Sequence, residues 1–129
     1  MVIDASAIVA ILFDEPERAR FAAAIDAAAL RLLSGVTFVE ATLVVEGRKG
    51  RRAERMVDRF VEEGEIEVFP VTVEHAQLAC EAFRAFGKGR HPAGLNLGDC
   101  FAYALAKATS EPLLFKGDDF LKTDIVCAA

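Results

Sequence analysis

The chain has 129 residues, 53% of them hydrophobic and 27% charged, with a formal net charge of −5. That length and balance fit one globular domain with an ordinary core and exclude a disordered chain. The longest uncharged run is nine residues, Ala5 to Phe13, far short of the ~20 that span a bilayer, and the negative net charge speaks against a general nucleic-acid binder.

Met1 to Asp4 opens as a short apolar strand, with no basic segment before it of the kind a signal peptide carries. Ala5 to Phe13 is expected to be a helix that stops by Asp14. Pro16 is placed in the first turn of a second helix, whose Phe21, Ala24, Ile25 and Ala28 recur at helical spacing. Leu30 to Ser34 is strand-like, and Gly35 ends it. Thr37 and Glu40 have the spacing of a capping box, which opens a helix to about Glu46. Gly47 and Gly50 bracket a basic connection into a charged helix from Arg51 to Glu63. Ile66 to Pro70 alternates as a strand does, and Thr72 is the expected N-cap of a helix to Phe86. The loop 87–94 leads to a helix that is apolar or small from Cys100 to Ala106, apart from the Tyr103 hydroxyl. Pro112 to Phe115 is a further strand, and Asp124 to Ala128 is placed as a last one. Short apolar strands alternating with helices predict a single α/β domain over residues 1–129, its sheet mostly parallel and set between helices. Cys80, Cys100 and Cys127 are odd in number and widely spaced, and read as small core residues in a reducing cytosol.

In open α/β sheets, ligands bind beyond the carboxyl ends of the strands. Asp4 falls at the end of the first strand and Glu40 in the first turn of the helix after the second. Asp99 falls in the first turn of the buried helix, and Asp118 and Asp119 lie just past the strand at 112–115. Taken singly, each is explained as a helix-cap or turn acid. Caps need no convergence, however, whereas this topology brings four stretches to one rim. Carboxylates packed together must share protons or hold a cation. Oxygen donors suit Mg²⁺ or Mn²⁺; His75 and His91 are far apart and no cysteine has ligand spacing, which disfavours zinc. Such an ion can engage phosphate oxygens, so phosphodiester hydrolysis is the leading chemistry. Ser6, two residues past Asp4, either supports a carboxylate or a metal-bound water, or is an ordinary first-turn serine.

Between Arg48 and Arg59 six basic and two acidic side chains give a local charge of +4, with Arg48, Lys49, Arg51 and Arg52 in its first part. Lys88 and Arg90 precede Asp99, and Lys116 adjoins Asp118. These cations either receive a phosphate backbone near the acidic rim or form solvated faces. No aromatic cluster offers a stacking platform for bases. Ile8, Ile11, Leu12, Phe13, Phe21 and Ile25 of the first two helices read mainly as core, with the remainder left for a partner groove or dimer face.

"MVIDASAIVAIL", "TFVEA", "GLNLGDCFAYALA" and "LLFKGDDFLKTDI" follow one another across essentially the whole chain. In that order they resemble the successive blocks of the PIN-domain ribonucleases, particularly the VapC toxins of bacterial toxin–antitoxin pairs. By position, the resemblance implies that Asp4, Glu40 and Asp99 are catalytic metal-site acids, that either Asp118 or Asp119 is the fourth, and that Ser6 holds the Ser/Thr position near the metal. It also implies a three-layer α/β/α fold and a cytoplasmic, Mg²⁺-dependent endoribonuclease, with Mn²⁺ able to substitute. Homodimerisation, and neutralisation by a small VapB-type antitoxin in a joint assembly, are implied with it. Two other acidic-pocket folds fit less well. A receiver domain needs an aspartate where this chain has Val68-Phe69-Pro70, and a haloacid-dehalogenase-like phosphatase needs an acid where Ser6 stands. The alternative from another class is a catalytically silent PIN-like binding or regulatory module. Its mark would be a lost acid, and none is lost.

Overall fold

Residues 1–129 are described here from a computed structural model. The strands are β1 (Val2–Ile3), β2 (Leu32–Ser34), β3 (Glu67–Phe69) and β4 (Leu113–Leu114), and the helices are α1 (Ala5–Leu12), α2 (Arg18–Ala27), α3 (Gly35–Lys49), α4 (Met56–Glu63), α5 (Val73–Phe86) and α6 (Leu97–Thr109). The strands form one four-stranded sheet in the order β3-β2-β1-β4, and every pairing is parallel. Val2 lies opposite both Leu32 and Leu113, and Ile3 opposite Leu114. Side chains alternate across a sheet, so Val2, Leu32 and Leu113 pack beneath α5 and α6 with Ala79, Tyr103 and Leu105. Ile3, Leu33 and Leu114 face the other way, among Ile8, Phe21, Ile25, Val45 and Val57 of α1–α4. Burial on both faces explains why these strands are unbroken apolar runs rather than alternating ones. The result is a three-layer α/β/α arrangement, as expected.

Several local expectations are corrected. The helix after β2 begins earlier than Thr37: Ser34, the last strand residue, is its N-cap and accepts from Val36 N at 3.3 Å. Strand therefore passes into helix without a loop. Thr37 lies buried inside α3 with an unpartnered hydroxyl, and it makes no capping box with Glu40. α3 also runs through Gly47 to Lys49, and ends at Gly50, whose φ of +72° only glycine adopts readily. Arg48 and Lys49 thus close the last turn of α3, where cations suit the helix dipole, while Arg51 and Arg52 lie in a 3₁₀ turn at Gly50–Ala53. Pro16 sits in the turn before α2, whose N-cap is Glu17. The segment 124–128 is no strand: it touches the sheet by one bridge, Cys127 to Leu113. Of the cysteines only Cys100 is buried; Cys80 and Cys127 are exposed. No helix is long and apolar enough to cross a membrane.

Candidate active site

Because every strand runs the same way, the ends of β1, β2 and β4 and the starts of the helices that follow share one rim. Asp4 leaves β1 and is the N-cap of α1. Its Oδ2 accepts from Ser6 N at 3.0 Å and from Ser6 Oγ at 2.6 Å. Oδ1 is buried and has no hydrogen-bond partner. A buried carboxylate oxygen left bare is costly, so a ligand is the natural partner for it. Asp99 is the third residue of α6 and forms a reciprocal capping box. Its Oδ2 accepts from Asn96 N at 3.0 Å, and Asn96 Oδ1 accepts from Asp99 N at 2.9 Å. Glu40, in the second turn of α3, lays its carboxylate against the start of α6 at Gly98. A Cβ at residue 98 would overlap that carboxylate. Gly98 is thus a point of close approach between two helices.

Asp4, Glu40 and Asp99 line a single cleft of about 410 Å³, together with Ser6, Glu15, Arg48, Asn96 and Lys116. Burial pushes the Asp4 carboxyl up despite the bonds from Ser6. Burial likewise raises Asp99 to about 6, with Asp4 and Asp119 adding to the shift and the Asn96 N–H opposing it. Glu40 is raised to about 7 by burial and then by the charges of Asp4 and Asp99. The three acids therefore repel one another across a partly dry cleft.

The turn after β4 separates the two remaining acids. Asp119 is exposed but close enough to act on Asp99, whereas Asp118 lines a different pocket with Glu17, Arg20 and Phe115. The cations divide in the same way. Arg48 lines the cleft, its guanidinium 5.0 Å from the Phe13 ring, and Lys49 Nζ is 5.0 Å from the same ring. Lys116 reaches the cleft too, but its ammonium is held by Glu15 and Glu17. Arg51, Arg52 and Lys88 are exposed outside the cleft lining. Arg90 stacks on Phe83 in the groove between α5 and α6.

The cleft presents carboxylate, hydroxyl and amide oxygens, and neither histidine lines it. That donor set fits a hard divalent cation. The acids border an open cleft, and no three of them close on one point in metal-binding geometry.

An apolar groove of about 620 Å³ adjoins the cleft, formed by Val36, Val39, Leu43 and Val44 of α3 with Val71, Leu97 and Gly98, and it shares Glu40, Val44 and Asn96 with the cleft. The apolar residues of the first two helices are mainly core, as read, with Leu12 and Phe13 partly buried against it. There Ile8, Ile11, Phe21 and Ile25 are buried, while Leu43 and Leu97 of the groove are 67% and 73% exposed.

Asn96, Gly98, Glu15 and Glu17 were not singled out from sequence as site residues. Asn96 had a signal, since Asn-x-x-Asp is capping-box spacing. Glu15 and Glu17 had none, lying about a hundred residues from Lys116.

The chain thus carries an all-parallel sheet with acids from the end of β1, from α3 and from α6 at its carboxyl rim. A family model described as PIN domain matches residues 1–126. The chain belongs to this family, among the VapC ribonucleases. It is 48% identical over 129 residues to ribonuclease VapC30 of Mycobacterium tuberculosis H37Rv, covering 100% of this chain and 98% of that one. Two solved structures share the fold. Mycobacterium tuberculosis VapC20, a sarcin-ricin loop cleaving toxin, superposes with a TM-score of 0.78 at 16% identity, over 97% of this chain and 95% of its own. A toxin–antitoxin complex from Klebsiella pneumoniae superposes with a TM-score of 0.69 at 16% identity, over 99% and 97%.

Proposed function

We propose that the chain acts as one PIN domain, a Mg²⁺-dependent endoribonuclease toxin that cuts RNA phosphodiester bonds and is neutralised by a small VapB-type antitoxin. The observation that carries this reading is the buried, unpartnered Oδ1 of Asp4, in a cleft it shares with Glu40 and Asp99. Those three acids, which border the open cleft without closing on one point, would draw together to hold the ion. Asp119 is the fourth acid in preference to Asp118, because it acts on Asp99 while Asp118 lines another pocket. A divalent cation so held supplies charge for phosphate oxygens and an activated water.

The chain's own side chains do the rest. Ser6 and Asn96 orient Asp4 and Asp99, and Gly98 lets Glu40 into the cleft. Arg48 receives the RNA phosphate nearest the acids, and Lys49, Arg51 and Arg52 extend the track along the end of α3. Lys88 and Arg90 stand outside that track, and Lys116 is occupied by glutamates. The groove along α3 is suited to the apolar side of an antitoxin or of a second copy in a homodimer.

Asp4→Asn and Asp99→Asn test the reading cleanly. At the N-cap Asp4 asparagine caps a helix as well as aspartate, and at position 99 its amide oxygen can still accept from Asn96 N–H, so both variants should fold. Each loses charge worth several kcal/mol in the transition state, and cleavage should fall by about 100-fold or more. EDTA should stop the wild type, and Mg²⁺ or Mn²⁺ should restore it. Undiminished cutting by Asp99→Asn, or by the wild type in chelator, would reject the carboxylate–metal mechanism.

A further inference from the structure

Lys116 lies where the turn after β4 meets the end of α1. Its ammonium is 2.7 Å from Glu15 Oε2 and 3.2 Å from Glu17 Oε2, and the two glutamates are only 26% and 25% exposed. The backbone N–H of the same residue donates to Ser6 Oγ at 3.0 Å. A serine hydroxyl has a single proton. While Ser6 Oγ accepts from Lys116 N–H, it donates that proton to Asp4 Oδ2 at 2.6 Å. Both Ser6 bonds go to Oδ2, and Oδ1 is left as the open oxygen of Asp4.

We propose that the Glu15–Lys116–Glu17 clasp is a positioning device for the cleft. It holds the Lys116 peptide against Ser6, and so sets which oxygen of Asp4 faces the cleft and where the turn bearing Asp119 stands. Lys116 is then a positioning residue rather than an RNA contact. The activity readouts rest on the nuclease reading above; the others do not. An exposed ion pair adds little stability, but a group that orients a ligating carboxylate typically changes metal affinity or activity by about 10–100-fold.

The test uses full-length Lys116→Met, Lys116→Arg and the double variant Glu15→Gln/Glu17→Gln. The measurements are kcat and KM on RNA, Mn²⁺ affinity by calorimetry, and hydrogen-exchange protection of the Lys116 amide. The clasp predicts that kcat falls about tenfold in Lys116→Met and in the double glutamine variant, with KM nearly unchanged. Mn²⁺ affinity and amide protection should fall in both, while Lys116→Arg keeps most of the activity. Adding the two glutamine changes to Lys116→Met should cost nothing more, because all three act as one unit. An RNA-contacting Lys116 gives opposite signs: Met raises KM, and freeing the ammonium by the glutamine changes lowers it. That pattern overturns the clasp, as does Lys116 amide protection unaltered by the variants. A wild type that cuts no RNA, with Lys116→Met still losing Mn²⁺ affinity and amide protection, would remove the nuclease reading and support the clasp.

Discussion

Asp4 and Asp99 each divide their two oxygens between jobs. One oxygen satisfies backbone N–H groups at a helix start, and the other is left to the cleft, so the cap and ligand explanations of these residues do not compete. Glu40 has no such second task, and its protonation follows its surroundings alone. Its carboxyl rises from 4.5 to about 7, and those of Asp99 and Asp4 rise too. Between those two values the folded chain binds more protons than the unfolded one, so stability is full at low pH and is lost as pH rises. Metal-free protein should therefore melt highest near about pH 5 and lower near about pH 8. Glu40→Gln should flatten that decline. For a half-exposed carboxyl the gain at the higher pH is about 1 kcal/mol, or about 3–5 °C in Tm. Calorimetry in chelator checks this, and a variant with the wild-type profile would refute it.

At the scale of elements, the meeting of α3 with the start of α6 sets the cleft, and Gly98 permits it. In Gly98→Ala the methyl group would strike the far end of the Glu40 side chain, which can swing away. Alanine is also favoured over glycine in a helix by about 1 kcal/mol. The variant should therefore keep or slightly raise its Tm while losing cleavage by about tenfold or more, since a displaced catalytic group is costly. Thermal melts beside RNA assays decide it; full activity would show that Glu40 need not sit there. Gly98 also shows what sequence can and cannot reveal. The strand–helix order, the parallel sheet and the rim acids were legible, because apolar runs of 2–5 residues between helical stretches leave few topologies. The start of α3 was misplaced because Thr37 and Glu40 imitate a cap, while the real one, Ser34, doubles as a strand residue. The choice between Asp118 and Asp119 was illegible for a different reason. Adjacent residues in a turn point apart, and which of them faces the cleft depends on packing that the sequence does not display.

For the molecule as a whole, a net charge of −5 coexists with a +4 stretch from Arg48 to Arg59. Its leading residue borders the acids themselves. Neutralising Arg48, Lys49, Arg51 and Arg52 together to glutamine should weaken RNA binding most at low salt. The log–log salt dependence should become shallower by about 0.7 for each phosphate that the variant no longer neutralises. Titrations in the Asp99→Asn background avoid cleavage, and an unchanged slope would return these residues to a solvated surface. The sheet order has a mechanical corollary. β1 is flanked on both sides, so the backbone at Asp4 is gripped from two directions, with its own N–H bonded to Leu114 O. Glu40 and Asp99 ride on helices, and Asp119 on an exposed turn. Anchoring thus grades from a clamped floor to an exposed lip, and on the proposed reading a change in ionic radius or in the bulk of a nucleotide would be taken up at the lip.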